Sequence, residues 1–218
     1  MKAIETVYKG YKFRSRLEAR WAVFFDAIGA EWEYEPEGYI LNDGTFYLPD
    51  FLLHNVYGRG ASEIYVEIKG ELTEEDLHKI ELFSYGNGNG YKGNWWEPIY
   101  HAENPIIIFG KIPEERINEG YWYEVAVGEP GNWRTEKRYR DTYKYLDFGD
   151  EFHQTRFYDL AFSDGDDGYY TQPWAKKGGG LVLDYLDNPY ECVDRKLTFE
   201  AYNKARQARF EHGETPKI

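Results

Sequence analysis

Asp50 and Glu67 are the acids whose spacing offers chemistry. Leu48-Pro49-Asp50-Phe51 is followed, sixteen residues after Asp50, by Val66-Glu67-Ile68-Lys69-Gly70. In an extended strand, residues two apart share a face. Glu67 and Lys69 therefore project together while Val66 and Ile68 enter a core. Asp50, expected at the end of the preceding strand, brings a second carboxylate alongside Glu67. Two convergent carboxylates, completed by water and a phosphate oxygen, suit magnesium, a hard cation that takes oxygen ligands and keeps part of its water. A lysine beside such a site can orient or deprotonate an attacking water and stabilise charge building on phosphorus.

The elements that would position these groups are legible around them. Ser15 to Ile28 reads as a helix: Leu17, Trp21, Phe24 and Ile28 form one stripe at about 100° per residue, and Gly29 supplies the stop. Glu31 to Glu35 alternates as a half-buried strand should. Tyr39 to Leu41 and Thr45 to Leu48 flank Asn42-Asp43-Gly44, a hairpin turn signal. Ile64 to Lys69 is a further strand. Thr73 to Phe83 is helical, with Thr73 as cap, Asp76 in the first turn and Leu77 and Ile80 inward. Gly86 to Gly90 is a loop, and Pro105 to Gly110 brackets four apolar residues that suit a strand buried on both faces. Tyr121 to Val127 reads as another strand, and Leu197 to Phe210 as a closing basic helix. Residues 128–180 are rich in Gly, Asp and Tyr without a sustained period, which fits irregular strands or an elaborating subdomain.

Pro49-Asp50 with Glu67-Ile68-Lys69 resembles the signature of the PD-(D/E)XK nuclease superfamily, and the order of elements resembles its restriction-endonuclease-like αβββαβ core. Arg14-Ser15-Arg16-Leu17-Glu18-Ala19-Arg20-Trp21 resembles the first helix of its small phage- and plasmid-borne members, in which a glutamate completes the acidic site. The resemblance covers roughly residues 8–110. It implies an α/β (α+β) fold: a mixed central sheet flanked by helices over residues 1–127, and an irregular C-terminal elaboration of the same domain over 128–218. It implies a Mg2+-dependent deoxyribonuclease, with Mn2+ as substitute. Asp50, Glu67 and the Ile68 carbonyl would hold the metal, Lys69 would position the water, and Glu18 would complete the site. Ser15-x-x-Glu18 is also a capping box, a role compatible with the catalytic one. Arg14, Arg16, Arg20 and Lys79 are candidates for phosphate contacts, and Lys204, Arg206 and Arg209 extend a basic rim. Tyr8, Tyr11 and the Trp95-Trp96 pair are candidates for stacking on unpaired bases.

Composition narrows the alternatives. The 218 residues include 7 Trp, 21 Tyr and 13 Phe, so the chain can build a core and is far from a disordered composition. Met1-Lys2-Ala3-Ile4-Glu5 lacks the apolar stretch of a signal peptide, and the clean apolar runs, Ile106 to Phe109 among them, are far short of a membrane span. Cys192 is the only cysteine, which excludes an internal disulfide and fits a reducing cytoplasm. There is no phosphate-binding G-x-x-x-x-G-K-[ST] loop and no zinc spacing among His54, His78, His101, His153 and His212. Asp164 to Gly168 resembles a calcium loop only loosely, and a tight turn explains it.

The net charge of −13 argues against a polyanionic partner until it is resolved along the chain. Residues 1–25 carry six basic groups against two acidic ones, and residues 195–210 five against one, Glu200. Residues 26–82 carry fourteen acidic groups against three basic ones, and residues 145–194 eleven against three. A basic rim around an acidic pocket suits an enzyme that holds metal against a phosphate backbone. The acid of 145–194 suits a protein partner, and a second reading follows from it: a phage-encoded binding or inhibitor protein on a nuclease scaffold, engaging a host defence complex through its acidic surface. The oligomeric state is open, a dimer included.

Overall fold

The computed structural model describes residues 4–57, 62–70, 73–84, 104, 106–112, 114–116, 120–122, 173–183 and 192–210. The expected Gly86 to Gly90 loop, the Trp95-Trp96 pair, Asp164 to Gly168 and most of the acidic 145–194 stretch lie outside them. Among the described residues the chain is a mixed α/β protein. A first hairpin, β1 (Thr6–Tyr8) and β2 (Tyr11–Phe13), leads into α1 (Arg16–Ala27). Then come β3 (Glu31–Tyr34), the short hairpin β4 (Tyr39–Ile40) and β5 (Phe46–Tyr47), β6 (Phe51–His54), β7 (Glu63–Ile68), α2 (Glu74–Ser84) and β8 (Ile106–Phe109). After β9 (Glu114–Arg116) and β10 (Gly120–Trp122), which pair with each other, follow the hairpin β11 (Pro173–Ala175) and β12 (Leu181–Leu183) and the helix α3 (Arg195–Gln207).

The main sheet has four strands in the order β3-β6-β7-β8, with β8 parallel to β7 and the other pairs antiparallel. Two expectations are corrected here. The β4–β5 hairpin forms its own two-stranded sheet rather than contributing strands to the main one. The second main-sheet strand is instead β6, which the sequence reading passed over. Asp50 accordingly sits just before a strand, not at the end of one. The expected strand at Tyr121 to Val127 appears as β10, with residues 123–127 outside the described set.

The sheet is covered on both faces at β8, which is apolar without a break. Ile106 to Phe109 are all fully buried. On one face Phe51, Leu53, Val66, Ile107 and Phe109 pack against α1 through Trp21, Phe24, Phe25 and Ile28. Trp21 anchors this layer: it is fully buried, stacks on Phe109 with centroids 4.5 Å apart, and donates Nε1 to the Gly110 carbonyl at 2.8 Å. On the other face Ile106 and Ile108 pack with Leu41, Tyr47, Ile80 and Phe83, which ties α2 and the β4–β5 hairpin to the sheet.

Capping follows the sequence signals. Ser15 caps α1 by accepting from the Glu18 N–H, and Thr73 and Asp76 exchange hydrogen bonds at the start of α2. Gly29 ends α1 with φ +70°, and an added Cβ there would touch Gly179 Cα at 3.6 Å. The turn after β11 closes on this point, its Gly180 N–H donating to the Ile28 carbonyl at 2.8 Å. Hairpin β11–β12 and the apolar side of α3 (Ala201, Tyr202, Ala205) thereby join the core of α1, with Tyr202 stacked on Phe24 at 4.4 Å. No described helix is long and apolar enough to cross a membrane.

Candidate active site

The sheet register generates the site. Phe51 pairs with Val66 and Tyr34 with Phe51. Carried one residue further, the same registers set Asp50 opposite both Glu67 and Glu35, and the Glu35 N–H donates to the Asp50 carbonyl at 2.9 Å. Two acids seventeen residues apart in the chain thus become lateral neighbours in the sheet. Both acids are buried, Asp50 at 3% exposure and Glu67 at 4%.

Each oxygen of the pair is held. Asp50 Oδ2 accepts from the Ile68 N–H at 2.6 Å, and Oδ1 is paired with the Arg14 guanidinium. Glu67 Oε2 accepts from the Tyr47 hydroxyl at 2.7 Å, and Oε1 lies 3.0 Å from Lys69 Nζ. Lys69 also meets Asp76 at 2.9 Å. The third expected acid, Glu18, lies at the start of α1 at 5% exposure, turned toward the sheet. It accepts from the Tyr34 hydroxyl at 2.7 Å, from the Ser15 hydroxyl at 2.6 Å and from the Arg14 N–H at 3.1 Å. The cap and the site position therefore coexist in one side chain.

Electrostatics mark the cluster as strained. Burial, then the charges of Glu67 and Glu18, push the Asp50 carboxyl well above its ordinary range, against the pull of Arg14 and the Ile68 N–H. Burial also raises Glu67, an effect that Lys69 and Tyr47 offset only in part. Burial alone would lower Lys69, but Glu67 and Asp76 outweigh it and hold the ammonium protonated. Burial and the Glu67 charge keep Tyr47 a neutral phenol.

Of the residues expected to contact phosphate, Arg14 is turned inward: besides Asp50, its Nε meets Glu35 at 2.8 Å, while the side chain stays 52% exposed. Glu35 itself holds a left-handed backbone, φ +46°, a conformation that costs a residue with a Cβ and that gathers at functional sites. Lys79 pairs with Glu75 along α2. Arg16 sits at the first position of α1, and Arg20 faces α3 rather than the carboxylates. Tyr8 is corrected as a stacking residue, since its ring is fully buried and its hydroxyl donates to Asp26 at 2.7 Å. Tyr11 is 41% exposed.

Tyr34, Tyr47 and Glu35 belong to the site and escaped the sequence reading. The alternation of β3 puts Trp32 and Tyr34 on one face beside Phe13 and Phe51, a signal that could have found Tyr34. Nothing local marks Tyr47 or Glu35.

Among the described residues no three His, Cys, Asp or Glu side chains stand together as a ready metal cage. The donor set nevertheless fits a hard divalent ion. Two buried carboxylates side by side stay shifted toward protonation even with Arg14 and Lys69 beside them, and one or two carboxylates plus water and substrate oxygens are what Mg2+ accepts. No family model, curated protein or solved structure matches this chain.

Proposed function

We propose that this chain is a Mg2+-dependent phosphodiesterase of the restriction-endonuclease-like class, acting on nucleic acid, with DNA as the expected substrate. The observation that carries this reading is the juxtaposition of buried Asp50 and Glu67 across β6 and β7, with protonated Lys69 bonded to Glu67. The order α1, β3, β6, β7, α2, β8, with three antiparallel strands and a fourth parallel to the third, supports it, since that is the αβββαβ order the resemblance implies. A bound Mg2+ would supply Lewis acidity and a lowered pKa for a water. Asp50 and Glu67 would hold it with the Ile68 carbonyl, and Glu18 would complete the site.

The chain's own groups divide the remaining work. Lys69, bonded to Glu67 and Asp76, orients water and stabilises developing negative charge. Tyr47 fixes the rotamer of Glu67 and Tyr34 that of Glu18. Arg14, half-exposed at the rim, is placed to turn from Asp50 to a phosphate oxygen. The test is a cleavage panel over duplex, single-stranded and branched DNA and RNA, in Mg2+, Mn2+ and chelator, comparing wild type with Lys69→Ala. Magnesium-dependent cleavage lost in the variant supports the reading; equal cleavage by both proteins overturns it.

One observation favours the second reading, a binding protein on this scaffold: Arg14 and Lys69 already give each carboxylate a cation from the chain itself. A stoichiometric protein partner, with no Mg2+ binding and no cleavage of any substrate, would decide for it.

A further inference from the structure

Away from the carboxylates, a cavity of about 650 Å³ opens where the end of α3 meets α1, lined by Arg20, Arg206, Gln207, Ala208 and Arg209. Three guanidinium groups from two separate segments face it, and among the described residues no carboxylate lines it. Arg20 Nε and Arg206 Nε are shut off from solvent and have no hydrogen-bond partner. Arg206 uses a terminal nitrogen on Asn203 Oδ1. Among the described residues none of the three arginines is in an ion pair with an acid.

Two features of this arrangement are unfavourable as they stand. Buried donors left unmade cost free energy, and like charges gathered in one cavity repel. The carbonyls at the C-terminus of α3 attract cations and account for Lys204 and Arg206, which lie in its last turn. They do not account for Arg20, which comes from α1, or for Arg209, which lies beyond the helix. An anion held by the terminal guanidinium nitrogens relieves the repulsion. Guanidinium forks match the oxygens of a phosphate and donate to it in pairs. The surrounding segment is also one of the few basic stretches of an acidic chain, with five basic residues against Glu200 over 195–210.

We propose that Arg20, Arg206 and Arg209 form an oxyanion site for a phosphate group, supplied by a nucleic-acid backbone or by free phosphate. The site needs no metal and does not rest on the chemistry at Asp50 and Glu67. If the chain is a nuclease, the site holds the polymer at a point separate from the scissile bond.

The test uses the full chain in chelator, so that cleavage plays no part. Inorganic phosphate is titrated calorimetrically, and labelled single-stranded and duplex 20-mers are titrated by anisotropy over a salt series, for wild type, Arg20→Gln/Arg209→Gln and Lys12→Gln. The double variant is expected to bind at least about tenfold more weakly and to lose about 1.4–1.8 from the log–log salt slope, the share of two phosphate contacts. Lys12→Gln, which removes an exposed cation of β2 paired with Glu5, should bind as wild type does. Oligonucleotide binding that phosphate displaces identifies the backbone as the source, and phosphate binding without oligonucleotide binding identifies the free anion. Should the double variant fail to fold, exposed Arg209→Gln alone, together with a rise in wild-type Tm in phosphate over chloride at equal ionic strength, takes its place. Binding of neither ligand, or equal binding by wild type and variant, overturns the site, and neither result touches the nuclease reading.

Discussion

Asp50→Asn separates a metal site from a merely buried ion pair. The substitution keeps the shape of the side chain and removes one charge. On the favourable side it ends the burial of a carboxylate that faces Glu67 and Glu18; replacing poorly compensated buried charge is worth about 1–4 kcal/mol. On the unfavourable side it loses the pair with Arg14. That guanidinium is 52% exposed and keeps Glu35, so it is not stranded and the loss is about 1 kcal/mol or less. The Ile68 N–H retains an acceptor, but a neutral one, at a cost of about 1 kcal/mol. The expected balance in chelator is a gain of about 1 kcal/mol, or roughly 2–4 °C in Tm for a chain of this length. Magnesium should reverse the order: at a hundredfold excess over Kd it stabilises wild type by about 2.7 kcal/mol and the variant hardly at all. The pH dependence has a definite sign. A carboxyl whose folded pKa is raised binds its proton more tightly when folded, so wild type loses stability as pH rises from about 4 toward the folded value. The margin of Asp50→Asn over wild type in chelator should therefore widen across that interval. The assay is thermal denaturation with chelator and with Mg2+, from pH 4 to 8. An Asn variant that is less stable in chelator, or that keeps the full magnesium shift, refutes the reasoning.

Other expectations follow from single contacts. Lys69→Met should abolish Mg2+-dependent cleavage while far-UV circular dichroism stays native; retained turnover would remove lysine from the chemistry. Tyr34→Phe leaves Glu18 the Ser15 hydroxyl and the Arg14 N–H and should cost about 1 kcal/mol in denaturant titration; no measurable loss would mean that the phenol does not hold the acid. Trp21→Ala empties a fully buried site stacked on Phe109 and should cost about 3–5 kcal/mol; a loss under 1 kcal/mol would show that the α1 layer is not close-packed. His54 has its pKa raised by hydrogen bonds to Glu33 and Glu63. Its contribution is therefore present below about pH 6.5 and lost as pH rises through the higher folded value. Wild type should exceed His54→Gln in Tm more at pH 5.5 than at pH 8, and an equal margin at both would count against the pairing.

The elements that the sequence made legible are those with a local cause. The apolar stripe of α1, its Ser15 cap, the Gly29 stop and the Asn42-Asp43-Gly44 turn, with Gly44 at φ +84°, are each decided by neighbours in the chain. β6 was missed because Phe51-Leu52-Leu53-His54 is too short and too uniformly apolar to alternate, and only its partners on both sides make it a strand. The β4–β5 hairpin misled for the converse reason: its turn signal is strong, but turn chemistry does not say which sheet a hairpin joins.

The site divides along the same line. Asp50, Glu67 and Lys69 could be named because their separation along the chain matches a strand pair. Tyr47 and Glu35 could not, and Arg14 is legible only as a phosphate contact, because these partners reach the acids only through the register of β3, β6 and β7 and the approach of the loop before α1. Those partners also change what the acids mean. The sequence alone presents Glu67 and Lys69 as the most ordinary of pairs, a glutamate and a lysine on one face of a strand, worth little at a surface. Burial removes that reading, since a carboxylate at 4% exposure beside another at 3% is stable only when positive charge is supplied. The chain supplies part of it through Lys69 and half-exposed Arg14, and both acids are still pushed toward protonation. A site evolved only for stability would replace one acid with an amide, at the gain worked out above for Asp50→Asn. Keeping two acids there makes physical sense when a further cation completes the charge.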